Sequence, residues 1–356
     1  MLKSVIILQK SIISRKIRRL LVICTIGMPI LSILFLLSLA IGPVDTSIPE
    51  TINSLISVLN RGGKAKTLSE VIIYHIRLPR TLCVLAVGVG LSLSGAVMQA
   101  IVRNPLVDPY ITGVSSGAAL GACLAVFTEV TIMGTILYTI PLAAFLGALL
   151  AFLLTMSLAE AAGGSDVSYV LAGVVVNTAF SSLMTILIIL GEEKLHGILF
   201  WLFGSFAYVS WRIVWIIIVP VFALSAVILL YAYELNVVLL GDEQALQLGL
   251  AVKQFKKMMI VITSLLTSIC VSFNGIIGFL GIIVPHTARM LVGSDHRILL
   301  PSTIILGAII LIIADMIARI LLKPIELPIG AITSLIGVPF FAYLLAKRGR
   351  MYAAGQ

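Results

Sequence analysis

Three stretches of the sequence carry residue types and spacings that could do chemistry. Gly113-Val-Ser115-Ser-Gly117 fits the G-x-S-x-G frame that raises a serine nucleophile between a strand and a helix. That chemistry also needs a preceding strand and His and Asp partners. Here the frame opens an apolar run, with no charged residue between Asp108 and Glu129. A helix entry built from small residues is the better reading. Asp315 and Arg319 stand one helical turn apart inside another apolar run. An ionisable side chain at mid-bilayer costs roughly 2.5–3.5 kcal/mol, so the pair reads either as a proton relay or as a self-neutralising structural pair. Glu160, His286 and Arg289 fall at the ends of apolar runs, where their charges can reach water. The third stretch is Leu239-Leu240-Gly241-Asp242-Glu243-Gln-Ala245-Leu-Gln-Leu248-Gly249-Leu250. A solvated loop has no use for so many leucines, and a helix lying on the membrane would carry Lys and Arg on its polar face. Leucines beside two acids suit a protein partner that docks there.

No H-E-x-x-H, Walker lysine or paired acidic metal motif occurs. Cys24, Cys83, Cys123 and Cys270 lie far apart in apolar stretches and read as small core hydrophobes. The chain is therefore read as non-catalytic, with no metal and no cofactor of its own.

Composition says what must position these residues. Of 356 residues, 60% are hydrophobic and 11% charged, about half the charge density of a soluble protein. Such a chain cannot cover a water-facing surface, which excludes a soluble enzyme and makes it an all-α membrane protein. The net charge of +9 suits basic loops on the inner side of a membrane better than a nucleic-acid partner. Uncharged runs predict ten spans near residues 20–41, 81–102, 110–128, 133–159, 167–191, 213–233, 257–273, 276–292, 302–322 and 325–346. They form one transmembrane domain over residues 1–356. The polar, Pro/Gly-punctuated stretch 42–80 joins the first two spans. The apolar piece 198–206 is too short to cross and reads as interfacial or re-entrant.

Ten spans leave both termini on one side. Placing them in the cytoplasm puts Lys3, Lys10, Arg15, Lys16, Arg18, Arg19, Arg103, Lys253, Lys256, Lys257, Arg289, Arg297, Lys347, Arg348 and Arg350 inside. Arg61, Lys64, Lys66, Arg77, Arg80, Lys194, Arg212, Arg319 and Lys323 then lie outside. Fifteen against nine agrees with the positive-inside bias. In the second span Gly88, Ser92 and Ala96 fall on one line, with Gly90 and Ser94 on another, a pattern for close helix contact.

The 239–252 segment resembles the coupling segment of the permease subunits of type II ABC importers, the FecCD-type family that carries iron chelates and vitamin B12. The resemblance covers nearly the whole chain after residue 70. It includes Arg77-Leu-Pro-Arg80, Leu93-Ser-Gly-Ala-Val-Met-Gln99, Asn104-Pro-Leu106, Gly278-Phe-Leu-Gly-Ile-Ile-Val-Pro-His286, Asp295-His-Arg297, Ala314-Asp315 with Ala318-Arg319, and Glu326-Leu-Pro-Ile-Gly330. It implies a ten-helix permease in a prokaryotic cell membrane, surrounded by lipid and paired with a second copy of itself. Two ATP-binding cassette subunits, which hold ATP and Mg, would dock inside, and an external substrate-binding protein would deliver cargo. Leu240, Gly241, Asp242, Glu243, Ala245, Leu248, Gly249 and Leu250 would form the ATPase dock. Arg77, Arg80 and Arg319 would meet acidic residues of the binding protein. Asn104, Leu106, Asp166, Val167 and Ser168 would form the cytoplasmic gate, although Asp166 and Val167 stand where relatives often carry small hydroxyl residues. The implied cargo is a metal chelate, iron-siderophore first and haem or cobalamin next, with molybdate or tungstate as the alternative. An ion-coupled secondary transporter working without an ATPase is the competing class.

Overall fold

The structure, a computed structural model, describes residues 2–353 apart from 45, 133–135, 192–197 and 199–200. The described residues form helices and no strand beyond an isolated bridge between Leu322 and Ile325. The helix α1 (Leu2–Ala40) leads to α2 (Ile48–Asn60), which lies within the polar stretch between the first two predicted spans. Ser47 caps α2 by accepting from the Glu50 amide, and a proline follows at the start of the first turn. The second membrane helix starts well before residue 81. Thr67 and Glu70 form a reciprocal capping box on α3 (Leu68–Val71), which runs through a π-turn at Ile72–Arg77 into α4 (Leu78–Ile101). The polar capping residues are what made this start look like a loop.

Beyond α4 come α5 (Val114–Phe127), α6 (Ile136–Ala161), α7 (Asp166–Gly191), α8 (Trp211–Leu230) and α9 (Ala232–Val238). The chain closes with α10 (Asp242–Gln247), α11 (Val252–Asn274), α12 (Leu280–Val292), α13 (His296–Ile320) and α14 (Ile329–Ala353). Among the described residues, seven stretches are long and apolar enough to cross a membrane: 18–40 of α1, 68–101 from α3 through α4, 138–161 of α6, α7, α8, α11 and α13. Shorter apolar helices cover 114–127, 280–292 and 329–340.

Helix α4 is the centre of the bundle. Its apolar window is 89% buried, against 6% in α1 and 17% in α7. The small residues allow this. A Cβ on Gly88 would fall 2.6 Å from the Gly307 carbonyl oxygen of α13, and one on Gly95 only 1.8 Å from that of Gly281 in α12. The backbones touch where a side chain would otherwise stand. Cys83, Cys123 and Cys270 are buried free thiols, as small core residues should be. Gly113 opens α5 with no strand before it, and the neighbouring Ser116 hydroxyl donates to Asn177 Oδ1 at 2.7 Å.

The Asn274-Gly275 turn breaks the chain between α11 and α12. The Tyr110 hydroxyl spans the break, donating to the Ile277 carbonyl at 3.0 Å and accepting from the Ile277 amide at 3.2 Å. The 198–206 segment includes residues outside the described ones. Its described end packs on this break: the Ser205 amide donates to the Asn274 carbonyl at 2.8 Å, and the Gly330 amide of α14 donates to Phe203.

Candidate functional site: two ionic clusters and a short exposed helix

Charged side chains gather at opposite ends of α4. At its Leu78 end, Arg80 Nη2 lies 2.9 Å from Asp315 Oδ1, and Arg80 Nη1 donates to Glu326 at 2.8 Å. Arg319 Nε is 3.0 Å from Asp315 Oδ2, the one-turn pairing predicted from sequence. Arg319 also donates to the Ser38 and Ile41 carbonyls at 3.1 and 2.9 Å, and to the Ser38 hydroxyl. Arg77 donates to the carbonyls of Leu39, Ala40 and Val44 and to the Thr46 hydroxyl. The last turn of α1 leaves carbonyls without intrahelical donors at the negative end of the helix dipole, and two guanidiniums fill that need.

These are the three arginines that the resemblance implies would meet the binding protein. Their exposures are 4, 7 and 2%, and their donors are spent on the chain's own oxygens. The unpaired carbonyls of α1 and the buried Asp315 account for their burial.

At the other end of α4, the chain turns through Arg103, whose φ of 53° is unusual for a residue with a side chain. Asn104 Oδ1 accepts from the Leu106 amide at 3.0 Å and tightens the turn; Asn104 and Leu106 are both exposed. Nearby, Ser165 caps α7 by accepting from the Ser168 amide at 3.1 Å. Asp166 opens that helix, Val167 is 65% exposed and Ser168 is buried. The five expected gate residues thus lie on two neighbouring segments, with Asp166 at their junction.

The 239–252 segment folds around α10. Gly241 precedes it with φ at 111°, a conformation that a side chain would strain. Ala245 is fully buried and packs with Val237, Leu250 and Val252. Leu240, Leu246 and Leu248 are about 60% exposed, and Glu243 and Gly249 are open to solvent. One small residue anchors the helix while Leu246 on it and Leu240 and Leu248 beside it face outward.

The two groups are joined. Lys256 Nζ donates to both Asp166 oxygens at 2.9 Å and to Asp242 Oδ2 at 2.9 Å. Arg103 Nη2 is 3.2 Å from Asp166 Oδ2 and 3.2 Å from Asp242 Oδ1. The sequence reading used Arg103 and Lys256 only as topology charges. An acid at 166, in place of a small hydroxyl residue, was the one signal that a cation stood opposite. A separate group ties α6 to α7 and α11: Tyr169 donates to Glu160 at 2.7 Å, with Lys257 3.4 Å and Lys253 3.7 Å from the same carboxylate.

The sequence profile of the FecCD transport family matches residues 30–347. The chain belongs to the FecCD transport family. It is similar to the molybdate import system permease protein MolB of Haemophilus influenzae, 37% identical over 90% of this chain and 95% of that one. Similarity also extends to the cobalamin import system permease protein BtuC of Halobacterium salinarum, 41% identical over 79% of this chain and 74% of that one. A solved metal-chelate type ABC transporter in an inward-facing conformation superposes with a TM-score of 0.79 at 34% identity, covering 90% of this chain and 97% of the other. This member of the FecCD family is an integral membrane permease of an ABC importer. In such importers ATP hydrolysis belongs to a separate subunit. An ion-coupled carrier acting alone is thereby set aside.

Proposed function

We propose that the chain crosses the membrane ten times with both termini in the cytoplasm, pairs with a second copy, and imports a metal chelate. The seven long apolar stretches and three shorter apolar helices support the crossings. The exposed apolar sides of α7 (Leu171, Val175) and α14 (Leu335, Val338) support a second copy across a shared path. Two ATP-binding subunits dock on α10, an external binding protein delivers the cargo, and Asn104, Leu106, Asp166, Val167 and Ser168 close the inner end. ATP and Mg are held by the partner subunits.

The observation that carries the reading is the segment around α10, where Leu246 on the helix and Leu240 and Leu248 beside it face outward while Ala245 anchors it. Burying a leucine contributes about 1.5–3 kcal/mol, and an aspartate in its place adds the cost of a desolvated charge. At 1.4 kcal/mol per decade, Leu248→Asp should weaken ATPase binding by roughly 100-fold or more, with the melting point unchanged because Leu248 is 63% exposed. Co-purification of a tagged chain with its ATP-binding subunit tests this. An ATPase that stays bound to well-folded Leu248→Asp removes α10 as the dock.

The apolar side of α7 offers a small ion no fixed charges and suits a large cargo passed along by weak contacts. Iron-siderophore comes first, then haem or cobalamin. The MolB relative favours a second reading, molybdate or tungstate. Ligand binding by the cognate external protein, screened against ferric siderophores, haem, cobalamin, molybdate and tungstate, separates the two. Tight binding of the oxyanions alone would overturn the chelate assignment and leave the importer intact.

A further inference from the structure

Helix α10 has six residues and buries only Ala245 among them. A helix this short is not stable by its own hydrogen bonds, and one buried methyl group adds little. Something else must fix it against the bundle. Its first residue, Asp242, meets two cations, and both also hold Asp166, the first residue of α7. The two carboxylates would repel if brought together without them. Lys256 is 7% exposed, so its ammonium has given up most of its water for these carboxylate oxygens. Removing its partners would leave a buried charge, which makes the arrangement strongly preferred over a separated one.

From this geometry we infer that Lys256 and Arg103 are positioning residues of the transport cycle. They bind α10 to the first turn of α7, so that a displacement of the docking helix is delivered to the inner end of the path. The functional half of this inference rests on the importer reading above; the mechanical half does not. Four segments meet in the cluster: the turn after α4, the start of α7, the start of α10 and the first turns of α11. No backbone hydrogen bond runs between α7 and α10 among the described residues, so side-chain ion pairs are the direct tie. The Glu160 group fixes α7 to α6 and α11 without touching α10. The two networks divide the labour: one roots α7 in the bundle, the other connects it to the dock.

The mechanical half is tested on the chain alone in nanodiscs, with genetically encoded spin labels at Gln247 on α10 and Val167 on α7. The unmodified chain should give one narrow distance distribution, which Lys256→Arg should keep. Lys256→Gln with Arg103→Gln should broaden it. Asp242→Asn should do the same without lowering the melting point, since that carboxylate is 45% exposed; this variant keeps the test decisive if the double variant does not fold. A distribution as narrow in Asp242→Asn as in the unmodified chain overturns the link. The functional half is read in proteoliposomes holding the full importer. Lys256→Gln/Arg103→Gln should retain bound, ATP-hydrolysing partner subunits, while cargo delivered per ATP falls at least tenfold and Lys256→Arg restores it. Unchanged delivery per ATP in the double variant overturns the transmission role. If the unmodified assembly shows no ATP-driven uptake, the importer reading fails, while the distance measurement still decides the link.

Discussion

Replacing Asp315 with alanine tests whether the arginines at the Leu78 end of α4 are structural. Asp315 is completely buried. Its Oδ1 lies 2.9 Å from Arg80 Nη2 and its Oδ2 lies 3.0 Å from Arg319 Nε. In Asp315→Ala, Arg80 keeps Glu326 at 2.8 Å. Arg319 keeps only neutral acceptors on Ser38, Ile41 and residue 315 itself. One buried guanidinium is left without a counter-charge, and breaking such a pair costs about 3–5 kcal/mol. At about 2–4 °C per kcal/mol the melting midpoint should fall by roughly 6–20 °C. Cys83, Cys123 and Cys270 are free and buried, so a thiol-reactive fluorophore reports the melt directly in detergent. Glu326→Gln is the control. That side chain is 32% exposed, and a pair of this kind contributes under about 1 kcal/mol. An Asp315→Ala chain that melts within about 2 °C of its parent would refute the argument. So would an Arg319→Glu chain that folds normally and loses only capture of an external protein, which would return the arginines to the surface role.

Two further outcomes follow from packing and burial. Gly95→Ala puts a methyl 1.8 Å from the Gly281 carbonyl oxygen, so α4 and α12 must part at a cost of about 1–3 kcal/mol or more; Gly278→Ala, whose nearest neighbour would lie at 3.7 Å, should melt like the parent. Burial pushes the Asp108 carboxyl up to about 6 from an ordinary 3.8, so its penalty is absent below about pH 4, grows as pH rises and is complete above about pH 6. Asp108→Asn keeps the oxygen that accepts from the Tyr110 amide and should stabilise the chain by about 1–3 kcal/mol at pH 8; an equal gain at pH 4, read by the same melt, would show that ionisation is not the cause.

Hydropathy reveals a helix only where the helix is apolar. The runs that became α5, α7, α8 and α13 could be read directly from the sequence, and the Asn274-Gly275 break could be read from its turn residues. The amphipathic helix α2 was hidden by its flanking Pro, Gly and Lys residues, and the start at Leu68 by a capping box that looks polar. The exposed leucines in and beside α10 were legible because apolar residues in a short acidic loop conflict with solvation. The burial of Arg77 and Arg319 was not, because the acceptors that draw them inward are backbone carbonyls of α1, and every residue type supplies the same carbonyl. The Lys256 cluster was illegible for another reason. Its four members come from four segments, and no spacing rule relates position 103 to 166, 242 and 256.

The two ionic groups use the same residue types for opposite ends, and burial is what separates them. Around Asp315, both arginine side chains are at most 8% exposed and the carboxylate 1%, and backbone carbonyls complete the donors' needs. Rearranging the Asp315 pairs would cost the desolvation of a buried charge, and the group acts as a fixed clamp on α1, α4 and α13. Around Lys256 only the ammonium is dry. Arg103 is 37% exposed, Asp166 27% and Asp242 45%, so water can take over each of those partners at a cost of about 1 kcal/mol or less. Such a group can re-form its pairs in a second arrangement while Lys256 keeps at least one carboxylate. Elements that move must come from the less stable part of a structure, and here that part is the end of α4 where α10 is tied to the first turn of α7.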